Sequence, residues 1–167
     1  MDTYVIVLIT AGVVALLALA IVFLRGNKTM KKSEEQIDPS TRQLKLQAYE
    51  RLTLLVDRIA LPNIISRLGQ THITAREMQM ILTQNIKEEF DYNITQQIYV
   101  SPEAWGAVKN LKEQNLLIIN QLSNTLPPNA NGLDLNKLLL QYLMNNNKGA
   151  LHEVVSEVLA FEAKKLL

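Results

Sequence analysis

Glu89, Asn93, Gln96 and Gln97 recur at spacings of three, four and seven or eight, which on a helix aligns one carboxylate and three amides along a single face. They stand in the stretch "EEFDYNITQQIYVSPEAW", Glu88 to Trp105, among Phe90, Tyr92, Tyr99 and Trp105. A lone carboxylate makes no acid/base pair, so this row is poorly equipped for proton transfer. Amides make directional hydrogen bonds, and three roles stay open for the row. It is a solvated helix face, a buried network that fixes helix register at ~1–3 kcal/mol for each bond left unmade, or a partner-binding surface. In the last case Tyr99 and Trp105 supply the anchors and the amides supply direction. Glu89, Asn93, Gln96, Gln97, Tyr99 and Trp105 are therefore the candidate partner-binding or register-fixing residues.

Other chemistry finds little support. With no Cys there is no thiolate nucleophile, disulfide or Cys-bearing zinc site. His72 and His152 are the only histidines, and His152-Glu153 is followed by Ser156 where a zinc protease needs a second His. Asp91 to Thr95 resembles the start of a calcium loop, but Gln96 replaces its turn glycine and Pro102 its bidentate glutamate. No phosphate-cradling Gly-rich loop or nucleophile elbow occurs. With 17 Lys+Arg against 16 Asp+Glu, charge gives no reason to expect nucleic acid. The expectation is a protein that is not an enzyme and carries no cofactor or metal.

The elements that must position the row begin with an uncharged run. "YVIVLITAGVVALLALAIVFL", Tyr4 to Leu24, reaches about 31 Å as a helix at ~1.5 Å per residue, close to the hydrocarbon thickness. Arg25, Lys28, Lys31 and Lys32 follow it, whereas only Asp2 and the amino terminus precede it. The positive-inside rule then expects an N-terminus outside and a cytoplasmic C-terminal domain. Those four cations are candidate lipid-headgroup contacts, at ~1 kcal/mol each near an anionic surface, although fixing topology explains them equally. Ala11, Ala15 and Ala18 fall on one helical face and are candidates for transmembrane packing. Three segments are expected: a transmembrane anchor over residues 1–24, a basic juxtamembrane linker over 25–38, and a helical domain over 39–167.

From Asp38 onward the pattern is helical. Asp38 and Pro39 mark a cap and a first turn, and Leu44, Ala48, Leu52, Leu55, Val56 and Ile59 then form an apolar stripe. Pro62 ends or kinks that helix, and a short one is expected before Gly69. Thr74 to Glu77 reads as a capping box, opening a helix whose Met78, Leu82, Ile86, Phe90, Ile94 and Ile98 recur every four residues. Ser101-Pro102 starts a third long helix, Asp134 is expected to cap a fourth, and Leu151, Val154, Val155, Val158 and Leu159 mark the last. The fold class expected is all-α: one N-terminal transmembrane helix followed by a soluble bundle of about five helices.

"LQAYERLTLLVDRI", "EEFDYNITQQIYVSPEAW" and "LIIN", spanning Leu46 to Asn120, resemble an uncharacterised family of small single-pass membrane proteins of Bacteroidota. The resemblance implies a bacterial inner-membrane setting and no assigned chemistry. Two functions are expected from these readings. The first is a non-catalytic, membrane-anchored helical scaffold that meets membrane lipid and either another protein or further copies of itself. The second is an accessory subunit of a larger membrane complex, in transport, secretion or the cell envelope, docked through its transmembrane helix.

Overall fold

The structure, a computed structural model, describes residues 38–145 and 151–167. Asp38–Leu167 forms one compact unit. Its helices are α1 (Pro39–Ile59), α2 (Leu61–Leu68), α3 (Ala75–Tyr92), α4 (Pro102–Ser123), α5 (Gly132–Asn145) and α6 (Leu151–Lys164), with a 3₁₀ turn over Ile94–Ile98 between α3 and α4. The expected architecture is corrected here. The described residues hold six α-helices rather than about five, and none of them is long and apolar enough to cross a membrane. The expected transmembrane helix with Ala11, Ala15 and Ala18 and the linker cations Arg25, Lys28, Lys31 and Lys32 lie outside the described residues.

Local chemistry explains most helix boundaries. The Asp38 carboxylate accepts from the Ser40 and Thr41 backbone N–H groups, and Pro39 presets the first turn of α1. Helix α1 stops because Ala60 turns extended, at φ −54° and ψ 126°. Pro62 then sits in the first turn of α2, where a missing N–H costs nothing, so it starts a helix rather than kinking one. At α3 the capping box is complete: Glu77 N–H donates to Thr74 Oγ1 at 3.2 Å, and Thr74 N–H donates to Glu77 Oε2 at 2.8 Å. Ser101 Oγ accepts from Ala104 N–H at 3.1 Å to start α4.

Asp134 does not cap α5. Asn131 Oδ1 accepts from Asp134 N–H, and Asp134 Oδ2 accepts from Asn131 N–H, each at 3.0 Å, so Asn131 is the cap and Asp134 its return arm. The same segment pairs with the start of α3 through Ala75 N–H to Ala130 O at 2.9 Å and Gly132 N–H to Ile73 O at 2.8 Å. A Cβ on Gly132 would stand 2.6 Å from Gln70 O, which is why the closest approach carries glycine.

The core gathers the stripes read from sequence. Leu52, Val56 and Ile59 of α1 meet Met78, Leu82 and Ile86 of α3, Val108 and Leu111 of α4, Leu135 and Leu139 of α5, and Leu159 of α6. Burying one such side chain is worth ~1.5–3 kcal/mol, so the bundle rests on these rows. Buried amides then fix how the rows register. Asn115 Nδ2 donates to Ile59 O at 2.8 Å, at the carbonyl where α1 breaks. Gln79 Nε2 donates to Asn120 Oδ1 at 2.7 Å, and Gln79 Oε1 accepts from Ser123 Oγ at 3.1 Å, tying α3 to α4.

Candidate functional site

The four-residue ridge of α3 stops at Tyr92, because Asn93 closes the helix. Asn93 is buried and its Nδ2 donates to Glu89 O at 2.9 Å, so the amide satisfies a carbonyl that the ending helix leaves open. Beyond it the chain tightens into the 3₁₀ turn, and the ridge loses its register. Phe90 is therefore buried, whereas Ile94 is exposed and Ile98 is 73% exposed. Gln96 and Gln97 belong to that turn, not to the helix face carrying Glu89. Gln96 makes one long bond, Nε2 to Thr95 Oγ1 at 3.4 Å, and Gln97 is exposed.

The continuous polar row expected from spacing is thus divided. Glu89 and Asn93 stay together on α3, and the two glutamines turn away. Tyr99 lies at the edge of exposure beside the side chains of Lys45 and Tyr49. Trp105 is half-buried against Phe90, with ring centroids 5.0 Å apart and planes tilted by 32°. Lys112 Nζ lies 4.3 Å over the same Phe90 ring, so Trp105 belongs to the packing of α4 on α3.

What Glu89 does face is an open cleft of about 540 Å³ between α1 and α3. The α1 wall carries Arg51, Leu54, Leu55 and Arg58, at i, i+3, i+4 and i+7, and the α3 wall carries Asn85, Glu88, Glu89 and Tyr92 at the same rhythm. Leu54 is 63% exposed and Tyr92 is 77% exposed, so two large, largely exposed apolar side chains flank this opening.

Charge is distributed unevenly across the cleft. Arg58 grips the Glu89 carboxylate with both Nε, at 2.7 Å, and Nη2. The hydrogen bond first, and the charge of Glu89 second, hold the Arg58 guanidinium above its ordinary range. Arg67 of α2 brings a second guanidinium within 3.9 Å of the same carboxylate while it donates to Asn85 Oδ1 at 2.7 Å. Arg58 and Arg67 converge only because the chain turns at Ala60, between α1 and α2. Arg51 and Glu88, by contrast, have no ion-pair partner among the described residues; Glu88 accepts one bond from Gln84 Nε2 at 2.8 Å.

The stripe read from sequence included Leu44, Ala48, Leu52, Leu55, Val56 and Ile59, and Leu54 stood outside it. An exposed leucine between two arginines at helical spacing was the signal that marked this wall. His72 is exposed in the loop before α3, and His152 is half-buried at the start of α6, apart from this cleft. Among the described residues no three of His, Asp and Glu come together as a metal ligand set.

The chain matches, over residues 1–166, the family model described as "Family of unknown function (DUF7935)". The chain belongs to that family. No curated protein and no solved structure matches it. Membership agrees with the resemblance to an uncharacterised family and assigns no chemistry to members of DUF7935, so the reading of this chain rests on its own geometry.

Proposed function

We propose that this member of DUF7935 is a non-catalytic helical interaction protein whose contact surface is the α1/α3 cleft. One observation carries the reading. Leu54 and Tyr92 are held out to solvent on two N-capped helices, beside an Arg58–Glu89 pair that ties the two walls together. Aromatic and arginine side chains around an apolar opening are the composition that concentrates binding energy at protein interfaces. Glu89 suits positioning better than proton transfer, since its carboxylate is occupied by the Arg58 and Arg67 guanidinium groups.

A setting at the inner membrane of a Bacteroidota cell, with residues 38–167 on the cytoplasmic side, belongs to the same proposal. It is supported by the family resemblance and by the sequence of residues 1–32. The experiment is gentle purification of the full chain from native cells, beside a Leu54→Ser/Tyr92→Ser variant. Both positions are exposed, so the variant keeps its helix content by circular dichroism. Loss of the associated protein, or of self-association, from the variant alone supports the cleft. An unchanged set of associated chains shows that contact is made elsewhere.

A further inference from the structure

We propose that the occupant of the α1/α3 cleft is a second copy of this chain, packed about a two-fold axis so that Arg51 of each copy meets Glu88 of the other. This rests on the reading of the cleft as the contact surface and names what fills it.

The two walls of the cleft have opposite character. Arg51 and Arg58 line the α1 wall, Glu88 and Glu89 line the α3 wall, and Leu54, Leu55 and Tyr92 lie between or beside them. In an isologous interface one patch must complement itself, residue i meeting residue j twice. A patch with one cationic wall and one acidic wall does so when the two-fold axis runs along the cleft, because each cationic wall then faces the other copy's acidic wall. Arg58 and Glu89 already satisfy each other within one chain, which leaves Arg51 and Glu88 as the charges free to pair across the axis.

The other acids of α1 do not spoil this match. Glu50 and Asp57 are exposed outside the cleft lining, and Asp57 accepts from Asn63 Nδ2 at 2.8 Å within its own chain. Tyr92 supplies the apolar part. It stands at the rim, it is largely exposed, and a cleft of about 540 Å³ has room for the opposing phenol ring beside Leu54. A dimer held this way would cover the exposed Leu54 and Tyr92 surfaces of both copies at once.

The test uses two charge reversals, Arg51→Glu and Glu88→Arg, in the full chain, with mass measured by sedimentation in a mild detergent. Wild type is expected to be a dimer. Each variant alone is expected to be a monomer, since two like-charge contacts then face each other across the axis. An equimolar mixture of the two variants is expected to recover the dimer, because a mixed pair restores one Glu–Arg contact and keeps one Arg–Glu contact. A dimer that persists in either single variant, or a mixture that stays monomeric, overturns the proposal. So does a monomeric wild type, and there the Leu54→Ser/Tyr92→Ser comparison separates two failures. If a different protein leaves with that variant, the cleft still binds and only the second copy is wrong. If nothing does, both readings fall.

Discussion

Replacing Asn115 by Leu tests how the cleft is built. Asn115 is only 4% exposed, and its Nδ2 donates at 2.8 Å to the carbonyl of Ile59. That carbonyl ends α1 where Ala60 turns extended, and the side chain from α4 supplies the donor that the helix no longer does. Leucine keeps the branched shape of asparagine with bulkier methyl ends, so the substitution removes the donor while leaving the space filled. A buried acceptor left without its partner costs ~1–3 kcal/mol. With a urea dependence of ~1–3 kcal/mol per molar for a small domain, the unfolding midpoint should fall by about 1 M at unchanged slope. Asn115→Ala should fall further, because it adds a cavity. Circular dichroism at 222 nm against urea measures both. A Leu variant with an unchanged or raised midpoint would refute the claim that this amide fixes the corner between α1 and α2. That corner is what brings Arg58 and Arg67 to one carboxylate, so the refutation would reach the cleft as well.

Four further outcomes follow from the same geometry. Thr74→Ala removes one arm of the capping box and should lower stability by about 1 kcal/mol, read from the same urea titration. The Glu77 carboxyl is held below its ordinary value of 4.5 by the Thr74 backbone N–H first and the Thr74 hydroxyl second. A depressed folded-state pKa gives stability that is present above pH 4.5 and is lost as pH falls through the lower folded value, so amide exchange in the first turn of α3 should quicken there, and Glu77→Gln should abolish that dependence. Gly132→Ala places a Cβ 2.6 Å from Gln70 O and should cost ~1–3 kcal/mol, unlike Gly106→Ala, where the added carbon meets nothing within 4 Å. Glu89→Gln weakens the grip on Arg58, whose side chain is 52% exposed, so it should cost under ~1 kcal/mol of stability while loosening the cleft for whatever binds it.

The helices were legible because their punctuation is local. Asp38-Pro39, Thr74 to Glu77 and Ser101-Pro102 each satisfy their own first-turn N–H groups, and most of the apolar stripes of α1 and α6 goes inward as spacing dictates, with Leu44 and Val154 left exposed. What spacing could not show was where α3 stops. Its four-residue repeat continues through Ile94 and Ile98, but Asn93 turns back onto Glu89 O, and that side-chain bond to the helix end separates Glu89 from Gln96 and Gln97. The same limit hid the register amides. Asn115 and Gln79 read as polar positions on mostly apolar helices, and only their distant acceptors, Ile59 O and Asn120 Oδ1, give them a role. Glu89 was legible as a residue of interest, whereas its partner Arg58 lies 31 positions away and no local pattern joins them.

The most direct measurement replaces Tyr92 by a photoreactive phenylalanine analogue in the full chain and irradiates intact native cells, with the same analogue at the exposed Leu117 of α4 as the comparison. If the cleft between α1 and α3 is the contact surface, position 92 yields one discrete cross-linked species and position 117 yields none. An adduct at 117 with none at 92, or equal labelling at both, would contradict the account.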